Sequence, residues 1–80
     1  MARYFLHIEA DGHRFDDREG AEFPNLEAAR RTALRAAAQI SADDLATGVE
    51  RLCQRVIIAD GNGSEVLEII VEAAVRVRAA

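Results

Sequence analysis

The residues best able to do chemistry gather near the start of the chain. His7, Asp11, His13, Asp16 and Asp17 are imidazole and carboxylate ligand types for a divalent metal. Tyr4 to Glu9 alternates as a strand, and Asp11-Gly12 is a signal for a type I′ turn, whose two central residues need positive φ. That turn sets Ala10 opposite His13, Glu9 opposite Arg14, Ile8 opposite Phe15 and His7 opposite Asp16. His7 and His13 then point to opposite faces, and three ligands do not converge. A cross-strand polar pair accounts for these residues better than a metal site, so no metal or cofactor is expected.

The other candidates fail on spacing. Asp60-Gly61-Asn62-Gly63-Ser64-Glu65 has Glu65 where a calcium-binding EF-hand loop needs glycine, and Val71 where it needs a bidentate glutamate. Cys53, the single cysteine, has no histidine within six residues to generate a thiolate, and Arg51 and Arg55 are its only cationic neighbours. Ser41 and Ser64 have no visible base. Gly61-Asn62-Gly63 does not lead into a helix, as a phosphate loop must. The expectation is a protein without catalysis.

The elements that carry these residues follow from periodicity. After the first hairpin, residues 18–24 read as a connection broken by Gly20 and Pro24. Asn25 is an N-cap, and Leu26, Ala29, Ala33, Ala36, Ala37 and Ile40 form one helical stripe. Glu27 and Arg31 are spaced as an i,i+4 ion pair, and Gly48 is the stop. Asp44 falls on the axis of the buried stripe. Either the helix kinks near Ser41 or its last turns overhang the sheet with Asp44 in water, and the overhang is preferred.

Period two returns after residue 50. With Asn62-Gly63 as a second I′ turn, Ile58 faces Leu67, Val56 faces Ile69 and Gln54 faces Val71 on the helix side. On the other side Ile57 faces Glu68, Ala59 faces Val66 and Arg55 faces Ile70. The fold class is α+β, a single domain over residues 1–80. Its order is β-β-α-β-β, a four-stranded antiparallel sheet with one helix packed on one face. Residues 73–80 alternate like an edge strand or form a covering segment.

Composition bounds the partners. Of 80 residues, 14 are acidic and 10 basic, a formal charge of −4. All the bases are arginine. The balance argues against general nucleic-acid binding, with Arg30, Arg31 and Arg35 as a small reservation. Residues 36–42 are the longest uncharged run, too short for the roughly 20 residues of a membrane-spanning helix. A lone thiol and no secretory leader suggest the cytoplasm. One helix covers only one sheet face, leaving Phe5, Ile57, Val66 and Ile70 on the other as contact candidates. A homodimer is the expectation, with a basic protein partner or a small ligand as alternatives.

Two stretches carry a family likeness. Arg3-Tyr4-Phe5-Leu6-His7-Ile8 and the run from Asp17 through Gly20-Ala21-Glu22-Phe23-Pro24-Asn25-Leu26-Glu27-Ala28-Ala29-Arg30 resemble a family of small bacterial proteins known as a domain of unknown function. The likeness extends from Arg3 through the Asn62-Gly63 hairpin and implies no functional residues. A weaker similarity is to HicB-like antitoxin domains, which also place a hairpin, a proline-containing loop and a helix opening like Leu26-Glu27-Ala28-Ala29. It implies a regulator that binds a basic partner. Those antitoxins add a DNA-binding segment, for which these residues leave no room.

Overall fold

Asp11 (φ 52°) and Gly12 (φ 76°) both adopt the left-handed conformation a type I′ turn needs, in a computed structural model that describes residues 1–79. The turn joins β1 (Ala2–Ala10) to β2 (His13–Phe15) in the expected register, Ala10 to His13, Glu9 to Arg14 and Ile8 to Phe15. The connection that follows differs from expectation. Its residues Ala21–Phe23 form β3, which pairs with the start of β1 through Ala2–Phe23, Arg3–Glu22 and Tyr4–Ala21. Three residues between a glycine and a proline are too few to show a period. β2 and β3 lie end to end along one edge of β1, so the sheet has five strands instead of four.

Helix α1 (Leu26–Ala46) begins as its cap chemistry dictates: Asn25 Oδ1 accepts from the Ala28 N–H at 2.9 Å. It ends at Gly48, whose φ of +99° few other residues tolerate. Ala29, Ala33 and Ala37 are at most 2% exposed and meet Val56 and Ile58 of β4 (Arg51–Ala59). The helix runs unbroken past Ser41, and its last turns do not overhang into water. Ser41 is buried and donates to Gln54 Oε1 at 3.3 Å, while Gln54 Nε2 donates to Asp44. Gln54 sits on the helix-facing side of β4, 4% exposed. The stripe turns polar where the opposing strand does, because a buried amide must be hydrogen-bonded.

The sheet order is β2-β1-β4-β5, with β5 spanning Glu65–Ala74. Five of the six expected β4–β5 pairs hold, from Gln54–Val71 to Ile58–Leu67. The sixth does not: Ala59 faces Glu65, and Val66 is the extra residue of a bulge. The cause is the turn. Asp60 Oδ1 accepts from the N–H groups of Asn62 and Ser64, and the Gly63 N–H reaches Asp60 O at 3.0 Å. Only Gly63 takes positive φ there, which makes a three-residue loop of Gly61, Asn62 and Gly63 in place of the expected I′ turn.

β4 is buried on both faces, with Val56 and Ile58 toward the helix and Ile57 and Ala59 away from it, each at most 2% exposed. The stretch expected to be an edge strand or a cover divides. Ala73 and Ala74 complete β5, whereas residues 75–79 belong to no strand and leave Val75 and Val77 50% and 85% exposed. Residue 80 lies outside the described residues. Among the described residues no helix is long and apolar enough to cross a membrane.

Ala33 tests the close approach of helix and sheet. Ala33→Leu overfills a site with no exposed surface and should destabilise the fold by about 1–3 kcal/mol in denaturant unfolding. The same change at exposed Arg35 should be nearly neutral.

Candidate functional site

The face of the sheet turned away from the helix is organised by two arginines. Arg14 on β2 donates through Nε to Asp16 at 2.8 Å, through Nη1 to Glu9 at 3.2 Å and through Nη2 to Glu65 at 3.2 Å. Glu65 opens β5, so this pair links the two outer strands of the order β2-β1-β4-β5. Arg55 joins Glu9 at 3.2 Å and Glu68 at 3.0 Å. These groups are substantially exposed, so each pair contributes little to stability. Their arginine stems nonetheless cover apolar surface. The Arg14 hydrogen bond holds the Asp16 carboxyl below the usual carboxylate range, and Asp16 and Glu65 raise the Arg14 guanidinium further.

Under this lattice the four contact candidates separate. Ile57 is 2% exposed within a single protomer. Phe5 is half-buried and stacked on His7, ring centroids 6.4 Å apart and planes 8° from parallel. Val66, at the bulge, and Ile70 are 42% and 55% exposed, both on β5. The strand pairs with β4 along one side and has no strand along the other among the described residues. The open apolar surface on this face therefore lies toward one edge of the sheet. Phe15, on the helix side of β2, is a further exposed aromatic at 60%.

Of the histidine and aspartate residues near the first hairpin, His7 and Asp17 serve the backbone. His7 Nδ1 accepts from the Asp17 N–H at 3.0 Å and lies 3.5 Å from Asp16, while His13 is exposed beside the turn. Among the described residues no group of three or more His, Cys, Asp or Glu is placed to hold a metal ion. Asp17 receives the N–H groups of Leu6 at 3.2 Å, Glu19 at 3.2 Å and Gly20 at 3.0 Å. Its carboxylate replaces the strand partner that β1 lacks between β2 and β3. Burial pushes the Asp17 carboxyl up, but the three N–H groups outweigh it and hold it below the usual range. Gly20 completes the junction at φ +68°, where a Cβ would come within 2.8 Å of Tyr4 O.

The remaining candidates are dispersed. Cys53 is exposed opposite Glu72, in a shallow cleft of about 640 Å³ lined also by Asp11, Gly12 and Arg51, with no imidazole among the lining residues. On the helix, Arg30 pairs with Glu27 at 3.2 Å, and Arg31, expected to be its partner, is more distant at 3.9 Å. Asp60 spends its carboxylate on its own turn. Sequence reasoning missed the Arg14–Glu65 pair, since a contact 51 residues away has no local signal. It also left Gln54 without a role, although a polar residue on an apolar strand face was visible.

Comparison with known proteins gives one match. A family model described as a domain of unknown function (DUF6894) covers residues 3–72, ten residues beyond Asn62. No curated protein and no solved structure matches.

Asp17 links the edge of β1 to pH. Its folded-state carboxyl is the more acidic, so its stabilisation is complete above the usual aspartate range and is lost as pH falls through the depressed value. Asp17→Asn should flatten the acid limb of a stability–pH profile from chemical denaturation. At neutral pH, Asp17→Ala should cost about 1–3 kcal/mol.

Proposed function

This chain belongs to the DUF6894 family of domains of unknown function, and from that premise we propose a non-catalytic module that acts through protein contact, first with a second copy of itself. The carrying observation is β5, a ten-residue strand at the sheet edge with Val66 and Ile70 exposed beside unpaired backbone groups. An edge of this length is a template for another strand unless charge, proline or a cover blunts it. β5 contains no proline, and its charges, Glu65, Glu68 and Glu72, select a partner that brings bases to them. Its Val66 bulge disturbs one end alone.

Several of the polar residues support this reading because their capacity is spent inside the fold. Asp17 holds three backbone N–H groups, His7 accepts a fourth, and Ser41 and Asp44 satisfy Gln54. The proposed contact adds main-chain hydrogen bonds along β5 and removes Val66 and Ile70 from water. Ile57 and Phe5 act from beneath, Ile57 as packed core of the face and Phe5 through its stack on His7. The protein works in the cytoplasm, where the Cys53 thiol stays reduced.

Sedimentation velocity should show a reversible monomer–dimer equilibrium in the micromolar range. Ile70→Arg should shift it to monomer with little change in the melting temperature, since the side chain is already half exposed. A wild-type protein that stays monomeric at tens of micromolar refutes the proposal. Dimerisation unaffected by Ile70→Arg places the contact elsewhere. Carboxylates Glu65, Glu68 and Glu72 on the same strand favour the second reading, a regulator with a basic partner.

A further inference from the structure

The alternation of β5 continues past its last paired residue. Leu67, Ile69, Val71 and Ala73 face the helix side, and Glu68, Ile70, Glu72 and Ala74 face away. The Val75 N–H donates to Glu50 O at 2.6 Å, which carries the β4–β5 pairing one step beyond Ala74. The same period puts Val75 and Val77 in the first row and Arg76 and Arg78 in the second. Both valines are exposed, so residues 75–78 have a strand's pattern without a strand's partner.

The outward row is asymmetric in charge. It carries Glu68 and Glu72 in its first half and Arg76 and Arg78 in its second. An antiparallel pair of identical strands sets the first half of one against the second half of the other, so this row is complementary to itself. A two-fold axis normal to the sheet keeps each row on its own face and must therefore pass through a residue position.

The possible centres differ in what they oppose. Centring on Ile70 sets Glu68 against Glu72, and centring on Glu72 sets that residue against itself. Centring on Ile69 or Val71 sets a glutamate against Ile70. Centring on Ala73 sets Glu68 against Arg78, Ile70 against Arg76 and Glu72 against Ala74. On the helix side it sets Ile69 against Val77 and Val71 against Val75. No like charges then meet, no glutamate faces a large apolar side chain, and the Arg76 stem can cover Ile70. Centring on Ala74 would pair Glu72 with Arg76, but it sets Val75 against Ala73 and Ile69 against Ala79 and so gives the exposed valines less apolar cover. Glu68 keeps its 3.0 Å contact with Arg55 and remains exposed enough to accept a second arginine.

We infer that β5 and residues 75–78 pair antiparallel with the same stretch of a second copy, with Ala73 opposite Ala73 on the two-fold axis. This rests on the self-association proposed above and specifies its surface and register. The two sheets become one continuous sheet, and the exposed valines of each copy lie beside Ile69 and Val71 of the other.

A charge-swap cycle read by sedimentation tests the pairing. Glu68→Arg and Arg78→Glu should each weaken dimerisation about tenfold, because the contact occurs twice, and the double swap should restore it. In a Cys53→Ser background, Ala73→Cys should form an intermolecular disulfide under mild oxidation, and Ile69→Cys should not. A dimer with no charge-swap rescue and no Ala73→Cys cross-link overturns this register while self-association stands. A wild-type monomer at tens of micromolar overturns both.

Discussion

The short distance between α1 and β4 is the constraint on which the rest depends. Ala29, Ala33 and Ala37 present only methyl groups, so the helix settles onto Val56 and Ile58 with little side-chain volume between. A close approach saves a small chain from needing large residues on both surfaces of its core. It also leaves the core thin. The Cα radius of gyration is 14.5 Å, against about 12 Å for a compact chain of this length, and the extents are 54 × 22 × 17 Å. The molecule is long and narrow, and one face of its sheet has no helix over it.

Charge covers that face in place of a second layer of secondary structure. Arg14 and Arg55 tie β2, β1, β4 and β5 together through Glu9, Asp16, Glu65 and Glu68. Individually such contacts contribute little energy, and on the same face Ile57 and Ala59 are at most 2% exposed. The cover ends at β5, where Val66 and Ile70 stand open. An apolar outer face that asked for a partner across its breadth becomes an edge that asks for one along its length.

Two polar devices let the fold tolerate its irregularities. Where β1 has no strand partner between β2 and β3, Asp17 accepts the Leu6 N–H and fixes the following turn through Glu19 and Gly20. Where the helix stripe runs out of alanine, Ser41 and Asp44 meet Gln54 across the interface. Each places a polar side chain opposite an orphaned or buried polar group, which costs less than leaving it unpaired.

The sequence by itself determined whatever depends on neighbours within a few residues. The Asp11-Gly12 turn and its register, the Asn25 cap, the alanine stripe, the Gly48 stop and most of the second hairpin's pairing follow from local φ preference and period. The family likeness, carried by contiguous residues, was legible for the same reason. Tertiary structure decided what two distant segments settle jointly. β3 exists because β1 offers it an edge, Asp44 is tied down because Gln54 lies across from it, and Ile57 is closed on a face that the helix does not cover. Alternation assigns a residue to a face of the sheet. Only the assembled chain decides whether that face is wet, because cover comes from side chains far away in sequence.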